Sequence, residues 1–251
     1  NGGLFRYDGF EVKSFVNRIG DANSVSANHV LSICQDREGI IWMGTLAGGL
    51  CRFDPKTESF RSFLSDSKDP YSLSNNNIFG IDIDQYGNIW MATNGGGICV
   101  LPASEKNQAQ PKFKRIKGLE NTRLFEIRID RQNRFWTGVT DGPIIKGLID
   151  TTDLAASPIE MITCAADTQE EYPGNYYYAF EEDAQGNMWI STTRYGLKKV
   201  DHQTQRIKHI GLINERDFLT PENYLTSLRV HPDGFVLLGT EKGIFQLEEY
   251  G

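Results

Sequence analysis

Apolar and polar residues alternate in short runs along this chain, and turn-forming residues bound each run. His29-Val30-Leu31-Ser32-Ile33-Cys34-Gln35 is one such run, and Asp36-Arg37-Glu38-Gly39 closes it. Ile41-Trp42-Met43-Gly44-Thr45 follows, then the pair Gly48-Gly49. Leu50-Cys51-Arg52-Phe53-Asp54 is stopped by Pro55, and Ser59-Phe60-Arg61-Ser62-Phe63 completes the set. Period-two alternation between Gly, Pro, Asn and Asp predicts four antiparallel strands. Asp-x-x-Gly predicts a hairpin turn, because Asp bonds its own backbone and Gly takes positive φ. No stretch carries a 3.6-residue period, so essentially no helix is predicted.

The unit recurs. Asp-x-x-Gly-x-x-Trp starts at Asp36 and Asp84, again at Asp130 with Asn133 in the Gly slot, and at Asp183. A weaker copy starts at His231 and has Leu237 in the Trp slot. The slot positions 42, 90, 136, 189 and 237 step by 48, 46, 53 and 48 residues, and all four Trp of the chain occupy them. A fixed period of about 40–50 residues, each with four short strands, predicts an all-β propeller of four-stranded antiparallel blades. The repeated Trp is then a blade-to-blade packing residue, because blades packed face to face bury both faces.

Residues 2–16 align with 48–63, the second half of a repeat. The expected organisation is one propeller over 1–251: a partial blade at 1–23 and blades at 24–71, 72–120, 121–174, 175–222 and 223–251. About five blades are present, read as an incomplete arc of a seven-bladed propeller. Pairing of strand 12–16 with the last copy, to close a five-bladed ring, is the alternative.

Composition narrows the function. The net charge of −7 argues against nucleic acid, which selects clustered Lys and Arg. The basic run Lys112–Lys117 alternates as an exposed blade edge would. No apolar run approaches the roughly 20 residues of a membrane span. Cys51 and Cys99 hold the same slot in adjacent repeats, too far apart for a disulfide, which needs Cα atoms within about 7 Å. With Cys34 and Cys164 they are expected to be buried free thiols. His29, His202, His209 and His231 show no zinc-ligand spacing, so no metal and no cofactor are expected. Asn94-Gly95-Gly96-Gly97 leads into a strand rather than a helix and reads as a turn, not a phosphate loop.

The Asp-x-x-Gly-x-x-Trp phrase resembles the Asp-box of sialidases and related glycosidases. That box is itself a turn. The paired carboxylates that glycosidases need lie elsewhere, and nothing in this chain singles out such a pair. No catalytic residue is assigned.

Three stretches resemble the two-component regulator propeller repeat. They are Ser72–Ile78 with DQYGNIWMATNGGGI after it, SANHVLSICQDREGIIWMGTLAGGLCRFDP, and the opening GGLFRYDGFEVKSF. Repeat three departs at Asn133 and lacks Gly-Gly-Leu-x-Arg-Phe-Asp over 139–164; repeat five departs at His231 and Leu237. In that family, two seven-bladed propellers precede a β-sandwich, a membrane span and a histidine kinase. Some relatives carry a diguanylate cyclase instead. The resemblance implies a periplasmic sensor region of a dimeric receptor for polysaccharide breakdown products. It implies no catalysis in this chain, and membrane attachment only through other segments.

Propeller geometry also predicts a binding face. Antiparallel strands put the loop before strand one and the loop between strands two and three on one side, and the Asp turns on the other. The first side varies most between copies. It carries His29, Asn77, Arg123, Tyr177 and Tyr224, then Leu46, Asn94, Asp141, Arg194 with Tyr195, and Glu241 with Lys242. Two long loops, 164–175 and 212–223, reach it as well. A sugar site needs aromatic platforms beside planar hydrogen-bonding groups. Arg123, Tyr177, Arg194, Tyr195, Tyr224, Asn94 and His29 are the ligand candidates, with Tyr176 and Tyr178 beside them. Alternate Tyr of 176–178 must point into packing. A scaffold that only packs against neighbours, and a secreted propeller glycosidase or a lyase similar to streptogramin lyase, are the competing readings. For the lyase, His29 is the one His predicted on this face.

Overall fold

The computed structural model describes residues 2–162, 176–193, 196–210, 225–240 and 243–248. Among these residues every regular element is a strand, apart from two single 3-10 turns at Ala103–Glu105 and Leu154–Ala156. The strands form six antiparallel sheets. β1 (Leu4–Tyr7) pairs with β2 (Val12–Phe15) in a two-stranded sheet. Complete four-stranded meanders follow: β3 (Val30–Gln35), β4 (Ile41–Thr45), β5 (Leu50–Asp54) and β6 (Ser59–Phe63); then β7 (Ile78–Ile83), β8 (Ile89–Thr93), β9 (Gly97–Leu101) and β10 (Lys114–Arg115). The third is β11 (Leu124–Ile129), β12 (Arg134–Val139), β13 (Ile144–Leu148) and β14 (Ile159–Ile162). The fourth is β15 (Tyr177–Glu182), β16 (Met188–Thr192), β17 (Leu197–Val200) and β18 (Ile207–Ile210). β19 (Leu225–Val230), β20 (Phe235–Thr240) and β21 (Gly243–Glu248) form a three-stranded sheet. Repeat three thus builds a full blade without the Gly-Gly-Leu signature.

The Asp turn explains why the phrase recurs. Asp36 Oδ1 accepts from the amides of Glu38 and Ile40 at 3.0 Å each, and Oδ2 accepts from the Trp42 indole N–H at 2.9 Å. Asp84, Asp130 and Asp183 repeat the pattern, with indole bonds of 2.9, 2.8 and 3.0 Å from Trp90, Trp136 and Trp189. The Trp is therefore a hydrogen-bond donor to its own turn as well as a packing residue, a role that the spacing alone does not reveal. The turn needs a left-handed residue at its fourth position. Gly39 has φ 86°, and Asn133 takes φ 58°, which Asn tolerates better than other side chains. In the last copy His231 Nδ1 accepts from the Asp233 amide at 3.2 Å, doing part of the work of the missing carboxylate.

The described residues group into two compact units: 2–124 with 150–157, and 125–149 with 158–248. In the first, Trp42, Leu50 and Phe63 of one blade pack with Leu73, Ile78, Ile81, Ile89 and Met91 of the next. Leu4 and Phe15 of the β1–β2 hairpin lie against Phe53 and Phe60. In the second, Trp136 packs with Tyr177, Phe180, Met188 and Ile190, and Trp189 with Leu225, Leu228, Val236 and Leu238. Truncating such a buried aromatic typically costs about 3–5 kcal/mol. Close approach of neighbouring blades requires a small residue near the end of each second strand. A Cβ on Gly138 would sit 2.1 Å from Cδ2 of Tyr177.

Cys34, Cys51 and Cys99 are free; Cys51 and Cys99 are buried as expected, but Cys34 is only half-buried. Cys164 lies outside the described residues. Lys114 lies on the outer edge strand as expected, while Phe113 and Ile116 of the basic run point inward.

Candidate functional site

Loops on the variable face are tied together by backbone bonds. Leu46 N–H donates to His29 C=O and Asn94 N–H to Asn77 C=O, both at 3.0 Å; Thr193 N–H donates to Tyr176 C=O at 3.0 Å. The two loop sets thus share one side, as antiparallel geometry requires. In the first unit, Asn94 sits between Asn77 and Arg123, with which it forms an isolated antiparallel bridge. Asn75 Nδ2 donates to Asn94 C=O at 3.0 Å, and Asn77 Oδ1 accepts from Ala47 N–H at 2.8 Å. Arg123 is exposed, and His29 and Asn94 are half-buried. The asparagines here mainly hold loops.

The second unit carries an aromatic cluster. The Tyr176 ring centroid lies 4.5 Å from that of Phe125, Tyr178 lies 6.0 Å from Phe125, and the two tyrosines are 6.4 Å apart. All three are half-buried. Tyr176 N–H donates to Thr193 Oγ1 at 2.9 Å, which fixes the backbone at the ring. Tyr177 points the other way. It is 4% exposed, and its hydroxyl donates to Gly142 C=O at 2.8 Å. Alternation puts it in the blade interface, so it is not exposed as a platform, whereas Tyr176 and Tyr178 are half-buried. Arg194, Tyr195 and Tyr224, and the loops 164–175 and 212–223, lie outside the described residues, as do Glu241 and Lys242.

A β-bulge lies at Tyr178. Pairing of the first and second strands slips by one residue between Val30 and Ser32, Ile78 and Gly80, Tyr177 and Ala179, and Leu225 and Ser227. The extra residues are Leu31, Phe79, Tyr178 and Thr226, and Phe125 holds the same slot by alignment. Bulges re-aim a side chain and are common beside binding sites. Phe125 escaped sequence reasoning. Aligning this slot across the repeats, where large apolar residues recur, is the signal that finds it.

Among the described residues, no group of three or more His, Cys, Asp or Glu could hold a metal ion. Also among them, no helix is long and apolar enough to cross a membrane.

Four-stranded meanders closed by Asp turns and packed through their Trp define a β-propeller protein. Residues 24–47, 72–95 and 171–194 match the two component regulator propeller. No curated protein matches it. Among solved structures, the chain is similar to the extracellular domain of the hybrid two component system BT3049 from B. thetaiotaomicron, with TM-score 0.75 and 20% identity over 98% of this chain and 31% of that one. It is also similar to PorZ, a surface component of the type-IX secretion system of Porphyromonas gingivalis, with TM-score 0.73 and 14% identity over 98% and 36% of the two chains. Catalytically inactive virginiamycin B lyase from Staphylococcus aureus gives TM-score 0.65 and 10% identity over 94% and 73%. Likeness at these identities concerns the fold. The chain spans about a third of the length of the first two relatives.

Proposed function

We propose that this chain is a sensing propeller region of an extracytoplasmic two-component receptor, and that it binds a polysaccharide-derived oligosaccharide or relays its binding. The family repeats support the receptor reading. The observation that carries the binding reading is the half-buried ring cluster of Tyr176, Tyr178 and Phe125, in which Tyr178 occupies a β-bulge. Such rings offer flat faces to the C–H side of a sugar, and tyrosine hydroxyls offer polar tips. The receptor acts in the periplasm as a dimer, with membrane attachment and kinase output supplied by other segments. The chain itself recognises rather than transforms its ligand.

A thermal-shift screen against neutral and acidic oligosaccharides, with product analysis of each sample, tests this reading. Ligand at about 100 times its Kd raises stability by roughly 2.7 kcal/mol. A selective upward shift with intact sugar, lost in Tyr176→Ala and Tyr178→Ala, is the expected result. Cleaved sugar would replace the sensor reading with a hydrolase or lyase. No shift would leave the chain a scaffold.

A further inference from the structure

Two loops of the first unit share a framework and differ at the tip. In one, Ser24 Oγ donates to Asp21 C=O at 2.9 Å and accepts from Arg18 N–H at 3.0 Å. In the other, Ser72 Oγ donates to Asp69 C=O at 2.8 Å and accepts from Asp66 N–H at 2.9 Å. The tip residues, Asn23 and Tyr71, each donate a backbone N–H to the loop aspartate at 2.9 Å. Each tip then caps an amide at the outer edge of the following blade. Asn23 does so with its side chain, accepting from Phe60 N–H at 2.7 Å. Tyr71 does so with its carbonyl, accepting from Phe113 N–H at 2.8 Å.

That difference frees the Tyr71 ring, which is 51% exposed. It overlooks a groove of about 490 Å³. The buried rings of Phe63 and Phe113, 6.0 Å apart edge to face, form its floor. Asp69, Gln110 and Lys112 bring a carboxylate, an amide and an ammonium to its rim. Lys112 Nζ lies 5.5 Å from the Tyr71 ring centroid. Lys112 also lines a second hollow of about 220 Å³, with Lys114, Thr151 and Thr152.

We propose that this rim groove binds a pyranose chain, with one sugar ring on Tyr71 and the next units directed along Lys112 toward Lys114 and Thr151. An exposed aromatic face beside charged and amide groups is what a hydroxyl-bearing, C–H-faced ring requires. Strand addition by a peptide is disfavoured, because the Phe113 amide at this edge is already capped. A polyphosphate backbone is disfavoured by Asp69 at the rim and by the net charge of −7. The site shares a ligand class with the Tyr176 cluster but none of its residues.

Native affinity electrophoresis tests it, in gels cast separately with soluble xylan, arabinogalactan, starch or homogalacturonan. The expected result is retardation in at least one gel, weakened about tenfold in apparent affinity by Tyr71→Ala, an effect of roughly 1.4 kcal/mol. Tyr71→Trp retains it and Lys112→Ala reduces it. If Tyr71→Ala fails to fold, as judged by circular dichroism, Lys112→Ala and Gln110→Ala decide. Retardation in none of the gels, or retardation that these variants leave unchanged, overturns the proposal. Loss in Tyr176→Ala and Tyr178→Ala alone would do so while supporting the sensor cluster; loss in Tyr71→Ala alone would do the reverse.

Discussion

The ammonium of Lys106 lies 3.2 Å from Oδ2 of Asp36, with only 9% and 3% of the two side chains exposed. One blade thereby places a cation against the carboxylate that closes the turn of the blade before it. Lys106 also stands 5.7 Å from the Trp42 ring centroid. Elsewhere the cation comes from the same blade: Lys199 approaches Asp183 at 3.5 Å, and Arg134 approaches Asp130 at 2.7 Å. Removing one member of a buried pair strands the other, at a cost of about 3–5 kcal/mol. Asp36 keeps its amide and indole donors, so Lys106→Met falls at the lower end, about 3 kcal/mol. Lys199→Met costs less, because that pair is longer. Urea unfolding of the two variants checks the order.

Acid should loosen the same turns. Burial by itself would raise the carboxyl of Asp36, but the bonds from the Trp42 indole, the Ile40 amide and Lys106 outweigh it and hold the pKa below 3.8. Asp183 is likewise held below 3.8: burial acts upward, and Asn187 and Trp189 outweigh it. A carboxylate whose folded pKa is depressed contributes stability that is complete above its unfolded value and is lost as pH falls through the folded value. Stability should therefore hold down to about pH 5 and drop below pH 3.8, with a shallower drop in Asp36→Asn. Urea midpoints measured between neutral and acid pH read this directly.

Gly138→Ala should destabilise. The new Cβ would meet Tyr177 at Cδ2, Cγ and Cβ, at 2.1, 2.2 and 2.7 Å. Overpacking of this kind costs about 1–3 kcal/mol. Gly138 does not occupy the left-handed region, so backbone strain adds nothing. Pairing the change with Tyr177→Ala in a double-mutant cycle should show coupling of at least about 0.5 kcal/mol.

Tyr177 and Tyr178 should separate stability from recognition. Tyr177→Phe removes the hydroxyl bond to Gly142 and should cost about 0.5–1.5 kcal/mol of stability, leaving ligand shifts intact. Tyr178→Ala should lose the ligand shift with a smaller effect on the unliganded melting temperature. Thermal melts with and without oligosaccharide compare the two.

The described thiols should be inert in the folded chain. Burial, then the carboxylates of Asp82 and Asp36, push the Cys34 thiol up to about 12. Burial raises Cys51 and Cys99 as well. Since the thiolate is the reactive form, a Cys164→Ser variant should resist an aromatic disulfide reagent at pH 8 and react at all three remaining cysteines in urea.

The fold was legible because its strongest signals are local. Asp36, Gly39 and Trp42 lie within seven residues, and their spacing encodes the turn, the left-handed position and the packing slot together. Even where the signal failed, as at Asn133, the substitute tolerates the same φ. The candidate site was less legible, because it depends on contacts between repeats. Alternation showed that Tyr177 and its neighbours face opposite ways, but not which way. The bulge beside Tyr178 fixes that, and it leaves no mark in one repeat read alone. Phe125 joins Tyr176 and Tyr178 from another blade, across 51 residues of sequence from Tyr176.

The Asp turns at Asp84, Asp130 and Asp183 draw their acceptor, their amides and their indole from one seven-residue stretch. A blade duplicated or deleted as a unit keeps that stretch whole. The chain can therefore gain or lose blades by recombination between repeats while each inherited turn stays satisfied. Asp36 is the exception: its cation travels with the following blade, so an exchange at that junction would separate the two.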